Sequence, residues 1–191
     1  MNTIFKFIAP FYDKMMKIGG VEDKEKIASE IDPGDRVLDL GGGTGRIAKF
    51  IQELQSENET YLLDCNRGML KKAEEKELKN LVQGYSSNMP FSNDFFDAIL
   101  CVDALHHFEK TEESLSEMNR VLKPRGKLIV SDFNSESTPM KALEALEILG
   151  DRSVSYLSNQ ELKKMLEDKG FKINHEDDNP FGYFLTAIKT E

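Results

Sequence analysis

The chain has no long hydrophobic run. None approaches the roughly 20 consecutive apolar residues that cross a bilayer as a helix, so no membrane span is expected. It is also short of cysteine. Cys65 and Cys101 form no ligand-spaced pair. That argues against a disulfide framework or a cysteine-rich metal centre, and it fits a reducing, cytoplasmic location. Excess positive charge is missing too: 25 Lys and Arg stand against 34 Asp and Glu, a formal net charge of -9. A duplex-binding protein needs a basic stripe to displace counterions. The densest basic segment, "RGMLKKAEEKELKN", is interleaved with glutamates and reads as a solvated helix face. Nucleic acid and anionic membrane are therefore not expected partners. The first 20 residues carry Lys6, Lys14 and Lys17 but no uninterrupted apolar core and no small-residue cleavage site, which makes a poor signal peptide. Histidine is sparse. His106, His107 and Asp103 could supply ligand atoms, but His175 lies far along the chain, so no metal is expected.

What is present is an ordinary globular composition, 39% hydrophobic and 31% charged, over 191 residues. One domain spanning residues 1–191 is expected. Strand and helix signals alternate along it. "RVLDL", "TYLLDC", "NLVQG", "FDAILCV" and "GKLIVSDF" read as strands. "RIAKFIQELQ", "GMLKKAEEKE", "TEESLSEMNRVL" and "TPMKALEALEIL" read as helices between or after them. The fourth of these has Pro139 in its first turn, and the helix before the last strands opens on a Ser-x-x-Glu cap at Ser158 and closes at Gly170. "FKINHED" and "FGYFLTAIK" read as a closing antiparallel hairpin at a sheet edge. The expected fold is α/β: a doubly wound, seven-stranded, mostly parallel sheet. Residues 1–30 look helical and would form an N-terminal cap. Ligands of such sheets bind beyond the carboxyl ends of the strands. The residues to interrogate are Asp39–Gly45, Asp64–Asn66, Gly84–Asn88, Val102–His107 and Asp132–Asn134.

The first of these stretches, "VLDLGGGTGR", is bare backbone between a strand and a helix. Without side chains, a ligand can approach the main chain closely. Gly41, Gly43 and Gly45 are spaced G-x-G-x-G, not the G-x-G-x-x-G of dinucleotide folds, and Arg46 stands where the last glycine of that pattern would be. A generic nucleotide turn is the bland reading of such a loop. Asp64 ends the next strand, 19 residues after Gly45. A carboxylate there can accept from a vicinal diol, or it can cap the helix that follows.

These motifs resemble the class I S-adenosylmethionine-dependent methyltransferases, and most nearly the quinone-biosynthesis C-methyltransferase branch. The similarity runs in order from about Arg36 through "MPFSNDFFDAILCVDALHHF", "MNRVLKPRGKLIVSDF" and "LSNQELKKMLEDKGFKI". Even "IAPFYDKMMKIGG" is similar to the N-terminal helix of that branch. The resemblance implies a Rossmann-like fold and S-adenosylmethionine as cofactor. It implies that Asp39 helps to hold the methionine moiety over Gly41, Gly43 and Gly45, and that Asp64 holds the ribose. Cys65 would pack under adenine, and backbone near Val102 would lie along the methionine portion. The family often has Asp-Ala in the loop after the third strand, where this chain has Tyr85 and Ser86. Tyr85 either accepts from or stacks on adenine, or simply packs while Ser86 contacts adenine through its backbone.

Methyl transfer from a sulfonium is an in-line displacement with a neutral leaving group, so the protein mainly aligns the nucleophile and excludes water. A base is needed only where the acceptor must lose a proton. The candidates are His107, Asp103 and Tyr12. Adjacent histidines on a turn cannot both point inward, and by resemblance His107 is the inward one. His107 could equally be solvated or cap a helix, and Tyr12 could belong to a packing stripe with Phe5, Ile8 and Met15. A small-molecule methyl acceptor is expected. Two other readings stand beside it: a non-catalytic S-adenosylmethionine-binding protein of the same fold, and a nicotinamide oxidoreductase, against which Arg46 speaks.

Overall fold

Apolar runs that do not alternate with polar residues settle where both faces are covered, and "AILCV" and "LIV" are built that way. The computed structural model describes residues 23–135, 156–178 and 182–191. In it β1 is Arg36–Leu40, β2 Glu59–Asp64, β3 Asn80–Gln83, β4 Phe96–Val102, β5 Leu122–Phe133, β6 Phe171–Asp178 and β7 Gly182–Lys189. The helices are α1 Lys24–Ser29, α2 Arg46–Leu54, α3 Arg67–Glu74, α4 Thr111–Val121 and α5 Asn159–Asp168, with a 3₁₀ turn at Leu105–His107. The seven strands form one sheet in the order β3-β2-β1-β4-β5-β7-β6. The first five run parallel, and β7 is antiparallel to both of its neighbours.

Successive strand residues point to opposite faces, and the core divides accordingly. On one face Leu38, Leu40, Ile99, Cys101, Leu128 and Val130 pack with Leu115 and Met118 of α4 and with Leu162 and Leu166 of α5. On the other, Val37, Ala98, Leu100, Val102 and Ile129 pack with Ile27 and Ala28 of α1 and Ile47 and Ile51 of α2. The described part of the expected N-terminal cap, α1, thus lies in the core of this second face. Tyr12 and the segment before residue 23, and the expected helix "TPMKALEALEIL", lie outside the described residues.

The four residues Lys123-Pro124-Arg125-Gly126 belong to β5. Helix α4 ends at Val121 and the strand begins at once. Phe96 faces Leu122, but Ala98 already faces Lys127, so these four residues form an excursion within β5 and not a turn before it. Lys123 ties the excursion down through a 2.7 Å ion pair with Asp97. The outer strand, β6, is exposed and acidic from Glu176 to Asp178, which blunts the sheet edge against further pairing.

The arrangement β2-β1-β4-β5 brings the carboxyl ends of four parallel strands side by side, and β1 and β4 flank the switch point. Helix α5 opens as expected. The Glu161 amide donates to Ser158 Oγ (3.2 Å), and the Ser158 amide donates to Glu161 Oε2 (2.9 Å). Replacing Ser158 by Ala breaks this reciprocal cap. The expected loss is about 1 kcal/mol, which in thermal melts lowers Tm by about 2–4 °C for a domain of this size.

Candidate functional site

The carboxyl end of β1 passes into a loop folded over a buried acid. Gly41, Gly43 and Gly45 all adopt positive φ (73°, 54° and 72°). Asp39 is 1% exposed, and its carboxylate accepts the Ala48 amide of α2 at 3.0 Å. A Cβ at Gly42 would stand 2.6 Å from Asp39 Cγ, so the loop lies directly on the carboxylate. Asp39 therefore supports the loop from beneath, at a helix N-terminus where a negative charge is favoured. A Cβ at Gly41 would meet Ala104 Cβ at 2.8 Å and the Phe108 ring at 3.5 Å. The bare backbone is thus required by two neighbours, the acid below and the turn after β4 beside it. Lys76 closes the far side by donating to the Thr44 carbonyl (2.8 Å).

At the end of β2 the two readings of Asp64 separate. The cap of α3 is Asn66, whose Oδ1 accepts the amides of Gly68 (2.8 Å) and Met69 (3.3 Å). Asp64 is turned the other way. Its Oδ2 accepts the Gly43 amide at 2.9 Å, and its Oδ1 accepts the Asn66 amide at 2.7 Å. It is half-buried on the rim of the glycine loop. Cys65, next to it, is exposed. Partial burial, then the Asp64 charge, hold its thiol above the usual range.

Tyr85 is 71% exposed and sits in the short bend that pairs it with Asn88. The Ser86 hydroxyl faces inward and shares a 2.8 Å hydrogen bond with Ser114 Oγ of α4, which leaves the Ser86 backbone as its outward surface. This loop is clamped by Arg120, which donates to the carbonyls of Phe91 (2.8 Å) and Met89 (3.0 Å). The Val102 side chain is buried in the core, so only its main chain can border the site.

The histidine pair is placed opposite to expectation. His106 is the buried one, 4% exposed, and His107 is exposed. The reason is a partner 26 residues away: Asp132, at the end of β5. Asp132 Oδ1 lies 2.7 Å from His106 Nδ1, and its Oδ2 accepts the His106 backbone amide at 3.2 Å. The short turn thereby commits its first histidine inward, and the next residue must face out. Asp103 follows β4 with φ 53°, a left-handed conformation uncommon for a residue with a Cβ. One ligand-capable atom from each of Asp103, His106 and Asp132 lies within 4.8 Å of the others. A cation there would have to displace the hydrogen bond that already joins His106 to Asp132. From the sequence, His106 stands only as a possible metal ligand and Asp132 only as the start of the stretch Asp132–Asn134; neither is among the catalytic or cofactor-binding candidates. The available signal was that the segments ending β2, β4 and β5 each carry an aspartate at or beside the strand's last residues: "LLD", "CVD" and "VSD".

Comparison with known proteins places this geometry among relatives. Residues 38–130 match the family described as "Methyltransferase domain". The chain is 34% identical over 204 aligned positions to the ubiquinone/menaquinone biosynthesis C-methyltransferase UbiE of Francisella tularensis subsp. novicida, covering 88% of this chain and 81% of that protein. Among solved structures it superposes on magnesium protoporphyrin IX methyltransferase from Synechocystis PCC 6803 with bound SAH. There the TM-score is 0.73 at 18% identity, with 94% of this chain and 88% of that one covered. A SAM-dependent methyltransferase from Aquifex aeolicus superposes with TM-score 0.72 at 23% identity, over 93% and 98% of the two chains.

Burial pushes the Asp39 carboxyl up to about 7; the Ala48 amide opposes the rise and the Asp64 charge adds to it. A group held above its unfolded value of 3.8 binds its proton more tightly in the native state. Its contribution to stability is complete below the unfolded value and is lost as the pH rises through the folded one. Asp39→Asn removes this dependence. The stability difference between wild type and Asp39→Asn, from urea melts, should therefore shift against the wild type by about 2–3 kcal/mol between pH 5 and pH 8. A difference that stays constant over that range shows Asp39 to titrate normally.

Proposed function

Since this chain belongs to the methyltransferase-domain family and is a class I S-adenosylmethionine-dependent methyltransferase, we propose that its strand ends divide the cofactor and the acceptor between them. Gly41, Gly43 and Gly45 carry the methionine moiety, and Asp39 acts by holding their loop. Asp64 accepts from the ribose hydroxyls. Cys65, Tyr85 and the backbone of Ser86 border adenine, and the Val102 main chain borders the methionine portion. Asp103, together with Tyr12 from the segment before residue 23, faces the acceptor.

The observation that carries this reading is the position of Asp64. It does not cap its helix. It stands 2.9 Å from the Gly43 amide, and each of its oxygens still has a lone pair for a diol. The carboxylate and the bare loop form one continuous rim across β1 and β2, as a nucleoside with a charged tail requires. The residues present fit that group: an acid for the sugar at one end, and at the other a glycine loop held up by Asp39, with open space where a Cβ of Gly43 would stand.

S-adenosylmethionine supplies a methyl group on a sulfonium, the electrophile of the reaction. The chain's own contribution is positional. The loop and Asp64 set the sulfonium's place, the packed turn 104–108 closes the side of the loop, and the acceptor is held in line on the far side of the methyl. The acceptor is a small molecule. The name of the Francisella relative, a C-methyltransferase of quinone biosynthesis, supports an aromatic, quinol-like one. The charge balance and the absence among the described residues of a helix long and apolar enough to cross a membrane accord with an enzyme acting in the cytoplasm.

Calorimetric titration tests the cofactor arrangement. S-adenosylhomocysteine should bind and NADH should not. Asp64→Ala should weaken S-adenosylhomocysteine binding by about 1–3 kcal/mol, roughly 5- to 150-fold. NADH binding without S-adenosylhomocysteine binding overturns the reading, and unchanged affinity in Asp64→Ala removes the ribose contact. Transfer of label from methyl-labelled S-adenosylmethionine to a panel of phenols and quinols tests the acceptor class.

A further inference from the structure

We propose that Lys76 is a positioning residue for the cofactor. By taking up the Thr44 carbonyl it stops α2 from winding back into the glycine loop, and so keeps the loop shaped for the ligand's amino-acid tail. This rests on the cofactor placement argued above, with the tail over the glycines and the ribose at Asp64.

The need for Lys76 begins at Ala48. In an α-helix each amide donates to the carbonyl four residues back, and the Ala48 amide would return to Thr44. It goes to Asp39 Oδ2 instead, at 3.0 Å. The helix opens one bond later, with the Lys49 amide on the Gly45 carbonyl (3.0 Å). The half-buried Thr44 thereby loses the partner that helical geometry would give its carbonyl. Such a group is costly to leave unpaired inside a fold. Lys76 supplies the partner: its Nζ donates to the Thr44 carbonyl at 2.8 Å and to Thr44 Oγ1 at 3.2 Å. Asp39 and Lys76 thus hold the amide and the carbonyl of one helical bond apart.

The turn that carries Lys76 is itself fixed. Helix α3 ends at Glu74, and the Lys76 amide donates to the Ala73 carbonyl at 3.0 Å. Glu77 follows with φ 64°, left-handed at a place past a helix end where glycine is usual. Leu78 is then buried. A Cβ at Gly45 would collide with Leu78 Cδ1 and stand 3.2 Å from both Ala73 Cβ and Leu62 Cδ1. The last residue of the glycine loop therefore rests on the same turn from which Lys76 reaches Thr44.

The rest of the loop is tied at other points. The Gly41 amide donates to the Leu63 carbonyl (2.8 Å), the Gly43 amide to Asp64 Oδ2 (2.9 Å), and the Gly45 amide to the Gly42 carbonyl (2.8 Å). Without Lys76, the Thr44 carbonyl competes with Asp39 for the Ala48 amide. Where it wins, loop residues enter the helix and their backbone turns to bonds within it, away from a ligand. Affinity then falls by the fraction of molecules whose loop is still open. Asp64 is spared, because its Oδ1 is tied separately to the Asn66 amide (2.7 Å). Loss of Lys76 thus acts on the tail side of the cofactor more than on the ribose side.

The residue type follows from the partners. Both are neutral oxygens of Thr44. What the loop uses is a donor at the end of a long stem, strengthened by its charge, and an ammonium can serve both oxygens at once. Arginine keeps the reach and the donors. Methionine keeps much of the length and donates nothing.

Titration of the full chain with two ligands that share a nucleoside tests this. S-adenosylhomocysteine carries the amino-acid tail, and methylthioadenosine lacks it. Lys76→Met should weaken S-adenosylhomocysteine binding about 10-fold and leave methylthioadenosine within about 2-fold of wild type. Lys76→Arg should recover most of the loss. A lysine that only braces the fold moves both ligands alike. Unchanged S-adenosylhomocysteine affinity in Lys76→Met, an equal loss for the two ligands, or an arginine variant as weak as the methionine one overturns this inference and leaves the cofactor reading intact. Failure of the wild type to bind S-adenosylhomocysteine overturns the cofactor reading and this inference with it. If Lys76→Met does not fold, Lys76→Gln, whose shorter side chain withdraws the donor from Thr44, is titrated in its place and judged by the same outcomes.

Discussion

The site depends on one buried carboxylate. Asp39 lies under the glycine loop with a hydrogen bond from the Ala48 amide, in a place that costs it its ready ionisation. Burying such a group is unfavourable unless something is gained. Here the gain is shape. The carboxylate fills the space beneath Gly42 and ties the end of β1 to the first turn of α2, so the loop between them cannot relax onto the sheet. A loop held off the sheet is one whose backbone a ligand can reach.

From that point the other acids take their places by topology. The strand order puts the ends of β2, β1, β4 and β5 in a row, and each contributes an aspartate: Asp64, Asp39, Asp103 and Asp132. They do different work because their partners differ. Asp39 is beneath the loop, Asp64 is on its rim, and Asp132 is turned sideways to a histidine. Asp103 turns the chain. The net charge of -9 is therefore not only a solvated surface. Part of it is gathered at the edge where a cationic cofactor would bind, and clefts lined by one sign raise the local concentration of the opposite one.

Much of this was legible beforehand, for identifiable reasons. The strands of the sheet could be read because their apolar positions are continuous and the segments between them follow the helical period. The caps at Ser158 and the spacing of the glycines are local, and local chemistry survives in the sequence. The fate of Asp64 was not local. Cap or rim was undecided until the fold brought Gly43 beside it and showed Asn66 already capping α3. The histidine pair was misjudged for the same reason. Nothing in "DALHHF" tells which ring turns inward; that is decided by Asp132, 26 residues on, through parallel pairing of β4 with β5. Contacts that depend on which strand becomes a neighbour are where reading along the chain fails.

The coupling of Asp39 to Asp64 joins these strands of argument. Asp64's charge is one of the causes that raise Asp39, so with no cation on the rim it opposes ionisation of the acid below. On the proposed placement, a ligand with an ammonium and a sulfonium against one carboxylate brings net positive charge to the same rim. Each unit of that charge favours the ionised form of the acid below, and an ionised Asp39 holds the Ala48 amide more strongly. On that placement the ligand tightens the loop through the charge of the buried acid. By linkage, whatever proton Asp39 releases on binding makes affinity rise as the pH climbs through its folded value. The glycines supply the access. The aspartate makes the access respond to the charge of what enters.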